Sequence, residues 1–99
     1  MRVLRGILKD SLTYYQRLER DLERRLAQLP RGGVKRRRIR GHVYYYLQRR
    51  NGRKVVHRYL GRQKPVELLK GIEERRRLKQ ELVTARAALR LLPRRKLAG

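Results

Sequence analysis

Apolar side chains recur every three or four residues at Leu4, Leu8, Leu12, Tyr15, Leu18, Leu22, Leu26 and Leu29. That spacing lays one stripe along a helix and predicts a helix over residues 4–29. Pro30, Gly32 and Gly33 follow and stop it. A second stripe, Leu68, Ile72, Leu78, Leu82, Ala85, Leu89 and Leu92, is interrupted by Arg75 and predicts a helix over residues 66–92. Pro65 suits a first-turn position and Glu67 complements the helix N-terminus. Pro93 ends this helix and leaves residues 93–99 as a flexible tail.

Between the helices the period changes. Val34–Arg40 alternates weakly, while Val43–Arg49 and Arg53–Leu60 are rich in Val and Tyr. These segments predict a three-stranded meander over residues 34–60. Gly41-His42 separates the first two strands. Asn51-Gly52 separates the second pair and is expected to form a type I′ turn, which needs φ > 0 at both residues. The expected fold is α+β: long helix, three-stranded antiparallel meander, long helix, as a single domain over residues 1–99. The helices are expected to return antiparallel and pair along their stripes as a coiled-coil-like hairpin. Two stripes and a small sheet make a thin core. A homo-oligomer, or a partner protein, is therefore expected to join through helices 4–29 and 66–92.

An Asn51-Gly52 loop sets the hairpin register. Arg50 then opposes Arg53, Arg49 opposes Lys54, Gln48 opposes Val55 and Leu47 opposes Val56. Further along, Tyr46 meets His57, Tyr45 meets Arg58, Tyr44 meets Tyr59 and Val43 meets Leu60. Side chains alternate between faces. Val43, Tyr45, Leu47, Val56, Arg58 and Leu60 share the more aliphatic face, which is expected to pack on the helices. Tyr44, Tyr46, Gln48, Arg50, Arg53, Val55, His57 and Tyr59 share an aromatic and polar face.

Charge changes what that second face means. The 99 residues hold 30 Lys+Arg against 8 Asp+Glu, a formal net charge of +22. Every acid lies in a predicted helix: Asp10, Glu19, Asp21, Glu23, Glu67, Glu73, Glu74 and Glu81. From Arg31 to Lys64 there are 13 basic residues and no acid. Self-repulsion of this size opposes compaction. With 39% hydrophobic residues the composition sits near the onset of disorder, and the periodic stripes are the counter-argument. Such a charge calls for an anionic partner. Nucleic acid comes first, because counterion release favours basic ligands. An anionic membrane is a distant second, and solvated arginines on helix faces are the bland alternative.

No apolar run approaches the length of a membrane span, so no membrane association is expected. The start, "MRVLRGILKDSL", lacks the apolar stretch of a secretory signal. The expected location is cytoplasmic, with the nucleoid or a ribonucleoprotein. The absence of cysteine removes disulfides, thiolate zinc sites and thiol nucleophiles. Catalysis needs groups held within reach of each other, and the central segment has no Asp, Glu or Cys. Ser11 is the one serine, and two histidines cannot form a zinc site without further ligands. Catalytic residues, metals and cofactors are therefore not expected.

The candidate site is a basic, tyrosine-rich sheet. Lys35, Arg36, Arg37, Arg38, Arg40, Arg49, Arg50, Arg53, Lys54 and Arg62 are expected at phosphates. Tyr44, Tyr46, Gln48 and His57 are expected at bases or sugars. The ribbon could enter a major groove with Arg and Gln at base edges. Its tyrosines could instead stack on unpaired bases of RNA or single-stranded DNA. The bland alternative is a strand rich in tyrosine for its own sake, since cross-strand aromatic pairs stabilise sheets without a ligand.

Over "LPRGGV…HVYYYLQRRNGRKVVHRYLG…ELLKGIEERRRLKQEL" the chain resembles a family of small, uncharacterised prokaryotic proteins. Their pattern is a glycine, a tyrosine triplet followed by Leu, an Arg-x-x-Gly-Lys-like turn, then Tyr and an aliphatic residue, before a helix rich in Glu, Arg, Lys and Leu. The matching residues are Gly33, Tyr44, Tyr45, Tyr46, Leu47, Arg49, Gly52, Lys54 (shifted by one), Tyr59 and Leu60, within residues 29–82. Many members carry a Cys cluster and His-Gly-Pro before the tyrosines. This chain has Arg-Gly-His and no Cys, so the resemblance implies no metal. The hairpin is also similar to the three-stranded DNA-binding sheets of phage-type integrases and transposases. That likeness implies a sheet in the major groove and a link to mobile elements. The favoured expectation is a non-catalytic protein that binds duplex DNA. The alternatives are an RNA-binding ribonucleoprotein subunit ordered by its RNA, and a structural adaptor between proteins.

Overall fold

The structure, a computed structural model, describes residues 2–92. The predicted tail at 93–99 and the side chain of Leu4 lie outside the described residues. The element order is α1 (Arg2–Ala27), β1 (Gly33–Ile39), β2 (His42–Asn51), β3 (Lys54–Gly61) and α2 (Val66–Leu91). The α+β order of helix, three-stranded antiparallel meander and helix is the expected one. Among the described residues no helix is long and apolar enough to cross a membrane. The chain gathers into two compact units: α1 with the part of α2 from Arg77 onward, and Leu29–Arg76.

The helical unit holds the whole buried core: Leu12, Leu22, Leu26, Leu78, Leu82, Ala85 and Leu89. All seven belong to the two predicted stripes. Leu22 and Leu78 are fully enclosed, which stabilises the pair by roughly 1.5–3 kcal/mol for each side chain. Leu12 meets Leu89, with Leu8, Tyr15 and Leu92 packed around them. Further along α1 and further back along α2, Arg86 reaches Glu19 (Nε to Oε2, 3.1 Å) and Glu23 (Nη2 to Oε1, 2.8 Å). The helices therefore run antiparallel. Glu19 and Glu23 are like charges four apart on one helix, a mildly unfavourable spacing. The shared guanidinium offsets that repulsion. Its pKa is raised by the hydrogen bond to Glu23 first and by the one to Glu19 next.

In the other unit the strands lie in the order β1-β2-β3. The β1–β2 turn is Arg40-Gly41, one residue earlier than the sequence predicts. Both residues have positive φ, 52° and 81°, which is the type I′ sign pattern. The β2–β3 turn also departs from expectation. Asn51 pairs with Lys54, so the loop is Gly52-Arg53 and not Asn51-Gly52. Gly52 has φ 65° and Arg53 does not have positive φ. Glycine in the first central position is the type II′ pattern.

This turn moves β3 by two residues against β2. Arg50 faces Val55, Arg49 faces Val56, Gln48 faces His57, Leu47 faces Arg58 and Tyr46 faces Tyr59. The reason is electrostatic as well as local. The expected register set Arg50 against Arg53 and Arg49 against Lys54, and like charges directly opposite are destabilising. The observed register replaces both with Arg–Val pairs and exchanges the expected Tyr44–Tyr59 pair for Tyr46–Tyr59. A two-residue shift keeps the paired side chains on their predicted faces, with Arg53 moved into the turn and Leu60 into the bulge, whereas a one-residue slip would have exchanged the faces. Beyond Tyr46 the ladder jumps, because Tyr45 pairs with Gly61 and Leu60 is left over as a bulge.

The aliphatic sheet face, expected to pack on the helices, forms no buried core of its own. No strand residue is buried. Val34, Val43, Tyr45 and Leu47 are half-buried, but Arg36, Arg38, Arg49 and Arg58 share their face and are exposed. Full burial would strip water from four guanidiniums with no carboxylate beside them in the sequence, a cost that far exceeds the aliphatic gain. Where the chain enters this unit, the Pro30 ring lies close against Gly71 of α2. A Cβ added at Gly71 would stand 2.9 Å from Pro30 Cγ.

Candidate nucleic-acid interface

Alternation along three registered strands assigns each candidate residue to a place. One face carries Lys35 and Arg37 from β1, Tyr44, Tyr46, Gln48 and Arg50 from β2, and His57 and Tyr59 from β3. Arg36, Arg38, Arg49 and Lys54 project from the opposite face with Arg58. Arg40 and Arg53 sit in the two turns, at opposite ends of the meander. Arg53, expected on the tyrosine face, is displaced from it by the shifted loop. The ten expected phosphate-contacting residues are thus divided between two faces and two ends.

The centre of the tyrosine face is a continuous aromatic strip. Tyr59 lies between Tyr46 and Tyr44, with ring centroids at 5.4 Å and 6.2 Å and tilted planes. Each end of the strip is capped by a guanidinium. Arg37 Cζ sits 5.3 Å from the Tyr46 ring centroid, and Arg62 Cζ sits 5.8 Å from that of Tyr44. Arg62 also places Nη2 2.7 Å from Nδ1 of His42. Stacks of this kind on half-exposed surface rings are worth about 0.5–1 kcal/mol each, so they help to hold a sheet that has no buried core of its own. Among the described residues no carboxylate pairs with any cation of the three strands. Their charge is left to the solvent or to a ligand.

Arg62 is an expected site residue, but its contacts, the central place of Tyr59 and the part of His42 were not legible in the sequence. Tyr59 lies on the expected face, but its central place in the strip depends on the shifted register. Arg62 lies after β3 and reaches Tyr44 because the Leu60 bulge, with Gly61 at φ 118°, turns the chain back over β2. His42, a spacer between strands by the sequence pattern, instead begins β2, where it meets Arg62. The Gly61-Arg62 pair at the end of a Val/Tyr-rich strand is the signal that could have pointed there.

The two helices and a bare, basic, three-stranded sheet define the class of protein. The particular family follows from the sequence: the chain matches the family described as Domain of unknown function (DUF6788) over residues 12–71, and it belongs to that family. The match takes in most of α1, the whole sheet and the start of α2. No curated protein and no solved structure matches the chain.

Proposed function

We propose that the chain is a non-catalytic nucleic-acid-binding protein that lays the tyrosine face of its sheet against duplex DNA. One observation carries this reading: a face of three packed tyrosines, capped by Arg37 and Arg62, in a segment with 13 basic residues and no acid. Phosphate neutralisation supplies affinity, and groups on the face supply contact with base edges in the major groove. Lys35 and Arg50 flank the strip, while Arg40 and Arg53 stand at the two ends of the sheet, where the phosphates that wall a groove would lie. The likeness of the hairpin to integrase and transposase sheets supports duplex DNA.

A second reading keeps the face and changes the ligand. Tyr59 is 53% exposed at the middle of the strip, which favours stacking on an unpaired base of RNA or single-stranded DNA. Fluorescence anisotropy against a duplex, a single strand and a structured RNA of equal phosphate count separates the two. A duplex preference that survives at high salt supports the first reading. A preference for RNA or the single strand, lost when Tyr44 and Tyr59 become Ala, supports the second. Weak binding to all three at low salt overturns both.

A further inference from the structure

The cations of the sheet are not alike. Lys35, Arg50 and Arg53 have no ring or carboxylate partner among the described residues, and they suit the loose geometry of phosphate contact. Arg37 and Arg62 are different, because each guanidinium is already stacked on a tyrosine. Arg62 is held a second time. An arginine has no acceptor and stays charged, so in the 2.7 Å contact Arg62 Nη2 donates and His42 Nδ1 accepts. One N–H of Arg62 is occupied, and the rest of its planar fork remains available.

A stacked fork is costly to build for phosphate alone, which a mobile lysine serves as well. It matches an edge with two in-plane acceptors. On the major-groove side of DNA one base offers that pair, since guanine presents O6 and N7 together. Part of the ordering that a free arginine undergoes on binding has already taken place in these two side chains.

We propose that Arg37 and Arg62 recognise guanine in the major groove, and that His42 is the positioning residue that fixes the Arg62 fork. This rests on the duplex-DNA reading above and adds the base that the face selects.

The test compares two guanine-containing duplexes of one sequence, the second with 7-deazaguanine at every guanine. That change removes N7 and leaves every phosphate in place. The wild-type chain is expected to bind the deaza duplex about 5- to 100-fold more weakly with the same salt slope, since a bidentate base contact carries discrimination of that order. The Arg37→Met, Arg62→Met double variant removes both donor forks and is expected to bind both duplexes alike, at lower affinity. His42→Asn retains an acceptor and keeps the preference, whereas His42→Leu reduces it without changing the salt slope. All three positions are exposed, and circular dichroism confirms that the variants fold. Steep, salt-dependent binding with no difference between the duplexes overturns the guanine assignment and leaves DNA binding standing. A double variant that still discriminates overturns it as well. No binding to either duplex overturns the assignment together with the function on which it rests.

Discussion

The face that meets the ligand can be identified by removing equal charge from each side of the sheet. One variant replaces Lys35, Arg40, Arg50 and Arg53, which frame the tyrosine strip, with Gln. The other replaces Arg36, Arg38, Arg49 and Arg58 on the opposite face. All eight side chains are exposed, and exposed substitutions of this kind leave stability within about 0.5 kcal/mol each. Both variants lose four charges, so the long-range attraction to a polyanion falls equally. Contact does not. On duplex DNA the slope of log affinity against log salt changes by about 0.9 for each phosphate contacted. If all four framing cations reach phosphate, the slope falls by about 3.6, and affinity at 0.1 M salt falls by roughly 10³-fold or more. The opposite-face variant is expected to lose less than about one unit of slope, because its side chains reach the ligand only around a sheet edge. The assay is anisotropy on one duplex from about 50 to 300 mM salt, a range in which such slopes are steep. Equal losses in the two variants would refute the assignment of the tyrosine face and describe a sheet that polyanions coat without orientation.

Other outcomes follow from the two units. Leu22→Ala empties a fully enclosed site and is expected to cost about 2–5 kcal/mol, seen as a large fall in the melting temperature of the helical pair. Leu91→Ala, at a site 86% exposed, is expected to change stability by less than about 0.5 kcal/mol. Arg40 adopts φ 52°, a region that costs most L-residues about 1–2 kcal/mol and that Asn tolerates. Arg40→Asn also creates Asn-Gly in a type I′ turn, so slower amide exchange across β1 and β2 is expected. Arg86→Met leaves Glu19 and Glu23 facing each other without their shared partner. Its melting temperature is expected to fall at low salt, and the gap to wild type is expected to close as salt rises.

The helices were legible because their stripes are long and proline or glycine marks three of their four ends. Every buried residue had been placed on one of those stripes. Face membership in the sheet was also legible, since alternation is insensitive to a register error of two. The register itself was not. Asn-Gly is a strong turn signal, and it outweighed the two opposed like-charge pairs that its register entailed. Those pairs, Arg50 with Arg53 and Arg49 with Lys54, were visible in the sequence and pointed to the alternative. The bulge at Leu60 was beyond pattern reasoning, because nothing in the alternation of β3 marks which residue is left over. The Arg62 contacts with Tyr44 and His42 depend on that bulge and were lost with it.

Among the described residues, strands β1 and β3 each leave one edge without a hydrogen-bonded neighbour. Open edges are adhesive, because their amides and carbonyls can pair with another copy. Here no carboxylate lies between Arg31 and Lys64, and the Arg36-Arg37-Arg38 run lies along one edge while Lys54 and Arg58 lie on the other. Two such sheets repel each other on approach. A polyanion that neutralises these side chains also removes that protection. Near charge equivalence the chain should therefore pass from dispersed to self-associating, and excess of either component should restore dispersion.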